Sequence, residues 1–365
     1  MNRKWKIDLT IIIPVMAILG LGLLSLSSAL VYNPSRFYIQ ILWVISGIIV
    51  FFIVSSSDIR MWERSAIPLY AANLILLVLV LIIGKRIGGA QRWLDLGFMN
   101  FQVSEMTKLS IILFIAHRLN MKPTLEDGYN LIDVFPEAVA TLVCMGLIYY
   151  EPDLGSSILI GLIALIMIMS SKINKKWLAG AIIFTAVITP LLWNFVLHDY
   201  QKNRVIAIAT MMVSDSSELS QTTLYHTNQS IIAVGSGQKT GKGYRKGTQN
   251  MLRFIPEHHT DFIFSVFAEE FGFAGTSLLL LLYLYLITKI LNAVSKVKDK
   301  FSALVLVGAA TLIWIHVLIN VGMVTGILPV VGIPLPLFSY GGSSMILMAI
   351  ILGLVHNISV NSRYT

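Results

Sequence analysis

"SALVLVGAATLIWIHVLINVGMVTGI", residues 302–327, contains no Asp, Glu, Lys or Arg. A helix needs about 20 consecutive apolar residues to cross the hydrocarbon core of a bilayer, and this run is longer. Its apolar residues are continuous rather than alternating, which predicts a helix rather than a half-buried strand. Inside a bilayer the backbone must pair its own polar groups, and a helix does so within one segment. Working outward, the same character recurs at 8–30, 37–56, 64–84, 102–120, 131–150, 155–171, 177–197, 262–289 and 337–356. Composition agrees: 56% of the 365 residues are hydrophobic and 13% charged, against about 25% charged in soluble chains. The expected fold is an all-α polytopic membrane protein of about ten transmembrane helices, a single membrane domain over 1–365.

Loop charge sets the expected orientation. With the N-terminus inside, the cytoplasmic face holds Arg3, Lys4, Lys6, Arg60, Arg64, Arg118, Lys122, Lys172, Lys175, Lys176, Lys289, Lys296, Lys298, Lys300 and Arg363. The short outer loops hold only Arg36, Lys85, Arg86 and Arg92. Both termini are then cytoplasmic, and the long loop 198–261, between the seventh and eighth helices, is extracytoplasmic. The net charge of +8 reflects this bias and the anionic inner leaflet, so nucleic acid is not an expected partner. The single Cys144 lies within a span and is read as an inert small apolar residue.

The long loop contains two apolar stretches, 204–213 and 230–237, expected as short interfacial helices, with a polar and mobile stretch, 214–223, between them. "GSGQKTGKG" (235–243) fails as a phosphate loop: Gly235 and Gly241 enclose five residues, and Gly243 rather than Ser or Thr follows Lys242. It remains a cationic, glycine-rich loop suited to an anionic headgroup such as a diphosphate. The last outer loop carries Pro329, Pro334 and Pro336, which preclude a helix there.

The segment "PEHHTDFIFSVFAEEFGFAG" (256–275) places ionisable groups at the head of an apolar run and inside it. Asp261 reads either as a helix N-cap or as a carboxylate at the outer membrane surface able to act as a general base; the two are compatible. Glu269 and Glu270 lie about 12–14 Å further along a helix, too far to pair with Asp261 as a glycosidase-like couple. They are read as structural, with Lys108 or the outer-loop arginines as candidate partners. His258, His259 and Glu257 are adjacent in a loop and are read as accessory rather than as metal ligands.

With these residues in hand the chain resembles the SEDS family of bacterial cell-wall polymerases, in its RodA (elongation) branch. The resemblance covers nearly the whole chain. It is carried by "GAQRWLDLG" (89–97), "FQVSEMTKL" (101–109), "EPDLGSS" (151–157), "NQSIIAVGSG" (228–237), "GKGYRKGTQ" (241–249), the 256–275 segment and "NVGMVTGILPVVGIPLPLFSYGGSS" (320–344). The resemblance implies glycan polymerisation from lipid II on the outer face of the bacterial cytoplasmic membrane. Its catalytic aspartate falls on Asp261, and a class B penicillin-binding protein and other elongation-complex membrane proteins are the implied partners. Two departures concern the long loop: "SDSSELSQTTLYH" (214–226) stands where members carry an Asp-Pro-containing stretch, and Gln238 where they carry a second glycine.

An α-linked diphosphate donor and a β-1,4 product call for one inverting displacement, and hence for one base. The leaving diphosphate needs positive charge rather than an acid, and Lys85, Arg86, Arg92, Lys239, Lys242, Arg245 and Lys246 are the candidates. Glu105, Lys108, Asp153, Glu257, His259, Glu269, Glu270, Asn320 and Ser339 are expected as supporting polar residues. No cofactor is required, and no metal ligands are assigned. A divalent cation such as Mg2+ or Mn2+ is compatible with the chemistry, but no ligand set is legible. The alternative class is a flippase or transporter of lipid-linked precursors, which would place its determinants near the bilayer midplane.

Overall fold

The computed structural model describes residues 8–87, 90–95, 97, 100–123, 128–171, 202, 206, 218–252, 254, 257 and 259–361. Its helices are α1 (Leu9–Ala29), α2 (Pro34–Ser56), α3 (Ile59–Ile83), α4 (Val103–Asn120), α5 (Leu131–Tyr150), α6 (Leu154–Ser170), α7 (Glu218–Ser236), α8 (Thr248–Met251), α9 (Ile263–Val294), α10 (Lys300–Val324) and α11 (Gly342–Asn361). Among the described residues, seven helices are long and apolar enough to cross a membrane: α1, α2, α3, α5, α9, α10 and α11. The apolar α6 is shorter, and α4 carries Glu105, Lys108 and Arg118. The molecule is a multi-pass, mostly helical membrane protein. The expected span 177–197, and the stretch 204–213 apart from Ile206, lie outside the described residues.

The helix starts follow from capping. Asp8, Asp58, Asp153 and Asp299 each accept a backbone N–H at the head of α1, α3, α6 and α10, and such caps contribute about 1 kcal/mol apiece. Asp58 explains why α3 begins ahead of the expected position 64. Helix α11 begins later than the expected 337, because Ser339 Oγ accepts Leu335 N at 2.8 Å and holds 335–340 in a turn. Helix α7 begins at Glu218, so the second half of the stretch expected to be polar and mobile is helical instead.

Helices α4, α10 and α11 are the most buried, and α2 and α3 turn apolar side chains outward, as lipid-facing helices do. Between α3 and α4 the chain forms a small antiparallel sheet of β1 (Lys85–Ile87), β2 (Ala90–Asp95) and β3 (Asn100–Gln102), in the order β1-β2-β3. The Gln91 amide donates to the carbonyls of Val80 and Leu81 at 3.0 and 3.2 Å. It thereby supplements the Gly84 N–H on Val80 O and supplies a donor to Leu81 O in the last turn of α3.

Helix α9 is broken at Gly272, whose φ of 62° and ψ of −161° are not helical. The break frees carbonyls on one side and N–H groups on the other, and residues 238–243 fill it. Lys242 N donates to Glu269 O and Gly243 N to Glu270 O, both at 3.0 Å; Phe273 N donates to Gln238 O at 2.8 Å and Ala274 N to Lys239 O at 3.0 Å. The glycine-rich loop is thus spliced into the helix by four backbone bonds. Residues 273–294 beyond the break extend roughly 33 Å, enough to cross a hydrocarbon core of about 30 Å unaided.

Candidate active site

The candidate site is a mouth assembled from the turn between α5 and α6, strand β2, the approach to α9 and the proline-containing loop before α11. Asp261 is half-buried just ahead of α9. The N-cap of α9 is Phe262, with no side-chain cap bond, so the Asp261 carboxylate is not spent on capping the helix. Its backbone is held instead: Asn320 Nδ2, from α10, donates to Asp261 O at 2.9 Å and to Ile333 O at 2.8 Å. One amide thereby ties the aspartate to the proline-containing loop. That loop passes close by, since a methyl group on Gly332 would lie 3.3 Å from Asp261 Oδ2. Val331 packs on Gly155 at the head of α6, which brings the "EPDLGSS" motif to the same mouth.

Burial, followed by the charges of Glu257 and Asp153, raises the Asp261 pKa to about 7; Arg92 opposes the rise. An acid poised there is ionised often enough to accept a proton and basic enough to hold it. Arg92 is oriented by donating through Nε to Glu151 O at 3.2 Å and through Nη2 to Pro152 O, with Nη1 3.9 Å from Asp153 Oδ1. Asp153 also accepts Ser156 N at 3.1 Å and Ser156 Oγ at 2.9 Å. Glu257 meets Thr260, whose Oγ1 donates to its carboxylate at 3.3 Å. His259 lies 2.8 Å from Arg36 and accepts Tyr340 N through its backbone carbonyl at 3.0 Å. His258 lies outside the described residues.

The remaining candidates separate into groups. Glu269 is fully buried and meets Lys242 Nζ at 2.6 Å, Thr248 Oγ1 at 3.0 Å and Gln249 N at 3.1 Å. Glu270 accepts from Ser28 Oγ on α1. Lys108 is therefore not the partner of these glutamates, contrary to the expectation. It pairs with Glu105, one turn away on α4, and its ammonium lies 3.3 Å from His316 Nε2. Glu269 finds its partners in the long loop because that loop is spliced into α9 beside it, and Glu270 finds its partner on α1, neither of which spacing alone reveals.

Among the seven cations expected at a diphosphate, Arg92 is the one whose charge is felt at Asp261. Lys242 is turned inward onto Glu269, and Lys85 meets Asp95 at 3.0 Å in an exposed pair. Arg86 reaches Gln91 at 3.4 Å, Arg245 donates to Ser27 O at 3.2 Å, and Lys239 and Lys246 are exposed. Among the described residues no group of three or more His, Cys, Asp or Glu is arranged to hold a metal ion. The described residues thus give a divalent cation no evident seat.

Two further residues of the mouth were not singled out from the sequence. Glu151 sits fully buried at the end of α5, and His316 joins Lys108 to the proline-containing loop by contacting Pro334 O at 3.1 Å. A glutamate directly before a Pro-Asp turn was the available signal for the first. Nothing in an uncharged run flagged the second.

A family model described as "Cell cycle protein", covering FtsW, RodA and SpoVE, matches residues 5–364. The chain is 37% identical to "Peptidoglycan glycosyltransferase MrdB" of Escherichia coli (strain K12), over 99% of this chain and 97% of that protein. It is 30% identical to "Probable peptidoglycan glycosyltransferase FtsW" of Trichlorobacter lovleyi, over 99% of this chain and 95% of that one. Among solved structures, a chain of a peptidoglycan synthase complex superposes with a TM-score of 0.84 at 30% identity, covering 99% of this chain and 100% of that one. The rod shape determining protein RodA of Thermus thermophilus superposes with a TM-score of 0.73 at 28% identity, with both chains covered in full (100%).

Proposed function

The chain belongs to the FtsW/RodA/SpoVE family of cell cycle proteins, and from that premise we propose that it is a peptidoglycan glycosyltransferase with Asp261 as its general base. The substrate is lipid II, and the growing glycan on undecaprenyl diphosphate is the donor. Asp261 takes the proton from the acceptor's 4-hydroxyl as its oxygen attacks the donor's anomeric carbon. The bond from that carbon to the diphosphate breaks, and its electron pair leaves with the diphosphate. Inversion turns the α-linked donor into a β-1,4 strand in one displacement.

The observation that carries this reading is a carboxylate whose peptide is clamped by Asn320 while its side chain is left uncapped, with a pKa raised to about 7. Arg92 beside it, with the exposed Arg86, Lys239, Arg245 and Lys246, supplies positive charge for the departing diphosphate. The setting is the bacterial cytoplasmic membrane with the site on its outer face, in a single membrane domain serving cell elongation and shape. The partners are a class B penicillin-binding protein and other membrane proteins of the elongation complex. A transporter would instead gather its determinants near the bilayer midplane, whereas Asp261 stands at the head of α9 and not at its break.

The test is the pH dependence of lipid II polymerisation by the purified protein. The reaction requires ionised Asp261, so kcat/KM should fall about tenfold per pH unit below about 7. A rate that stays level from about pH 5 to 7 excludes a base with that acidity.

A further inference from the structure

Glu151 is 0% exposed, and among the described residues neither of its carboxyl oxygens has a hydrogen-bond partner. This is unusual for an acid beside an arginine. Arg92 is within reach, yet it donates to the backbone carbonyls of Glu151 and Pro152 and turns its remaining charge to Asp153. An ionised Glu151 would draw that guanidinium onto itself. A buried carboxylate with neither a charge partner nor a donor is not sustained; the group takes up a proton instead.

We propose that Glu151 works as an uncharged carboxyl that leaves Arg92 and Asp153 in place beside the base, and that its ionisation shuts the site down. The charged groups facing it are Asp153 from the head of α6 and Arg92 from β2, and Asp261 faces the same two. Ionised, Glu151 would add a negative charge to a mouth already holding Asp153 and Asp261, and would pull Arg92 away from the carbonyls that orient it. Burial, and then the charge of Asp153, push its pKa up to about 8, against the opposing effect of Arg92. The group is therefore neutral where Asp261 first becomes active as a base, and ionises just above. It is a positioning residue, acting through Arg92.

The variant that tests this is Glu151→Gln, which keeps the size of the neutral acid and cannot ionise. The proposal rests on Asp261 as the base, so one of two readouts is independent of turnover. Below about pH 7.5 the variant should polymerise lipid II within about twofold of the parent, and above about pH 8 the parent should decline while the variant does not. For the second readout, an acid whose folded-state pKa is raised contributes stability that is complete below its unfolded value and lost as pH rises through the folded one. For Glu151 that window runs from about 4.5 to about 8, so the parent's melting temperature should fall relative to the variant's across it.

A folded Glu151→Gln protein that is more than tenfold slower at neutral pH overturns the proposal, as does one that keeps the parent's alkaline decline. So does failure of the variant to fold, because an amide replaces a neutral acid without change of size or charge. If the parent itself makes no glycan, the reading of Asp261 falls, and the melting difference alone decides the state of Glu151.

Discussion

Asp261→Asn is expected to fold normally and to polymerise lipid II roughly 10²–10⁴-fold more slowly, the range that a positioned general base contributes. The amide keeps the size of the side chain but cannot take the proton from the acceptor hydroxyl. Folding should be spared because this side chain caps no helix and because the anchor on the segment is the backbone bond from Asn320. The sign of the stability change can be worked out. The native pKa of Asp261 is raised from 3.8 to about 7, so its contribution is complete below about 4 and lost as pH rises through about 7. Above that pH the parent carries a buried charge that the variant lacks, and Asp261→Asn should melt no lower than the parent at pH 8. Melting curves in detergent at pH 6 and pH 8, set beside polymerisation rates, check both halves. A variant that polymerises at the parental rate would remove Asp261 from the chemistry.

Gly272→Ala should have the largest effect on stability. Gly272 combines a φ of 62° with a ψ of −161°, a region that essentially only glycine occupies. An added Cβ would come 2.3 Å from Gly241 N and 2.7 Å from Gly237 O, and both are backbone atoms. They cannot give way cheaply, because the four backbone bonds that fill the break in α9 hold them there. Strain and clash together should cost more than about 4 kcal/mol, which places the change among the rare severe ones. The structural damage would also reach Glu269, whose partners Lys242, Thr248 and Gln249 belong to the displaced loop and its continuation. Size-exclusion profiles and melting in detergent should show little folded protein. Gly146→Ala is the control: it lies within helix α5, a Cβ there meets nothing within 4 Å, and stability should rise or hold. Equal behaviour of the two variants would mean that the splice at Gly272 does not support the fold.

The helices were legible because bilayer thickness and backbone pairing leave an uncharged run little choice, and Asp caps fix where several begin. The sequence left Asp261 open as a helix N-cap or a general base, and the structure removes the N-cap reading. The pairing of Glu269 was not legible. Its partner, Lys242, lies 27 positions away in a loop, and the contact exists only because α9 breaks at Gly272. The sequence "EEFGFAG" reads as continuous helix, since its two separated glycines are each of the kind that a helical run tolerates. The neutral state of Glu151 was equally hidden: a glutamate beside an arginine in space suggests an ion pair, and only the direction of the Arg92 donors shows otherwise. The short strands between α3 and α4 escaped notice because their pairing is a product of tertiary contact, with Gln91 anchored on the end of α3.

The most direct measurement is glycan synthesis from lipid II by this chain reconstituted in liposomes with a transpeptidase-inactive class B penicillin-binding protein. Strands should form with the parent chain, and should be lost both when the chain is omitted and when Asp261→Asn replaces it. Strands of undiminished yield in either of those two samples, or none from the folded parent, would contradict a polymerase built around Asp261.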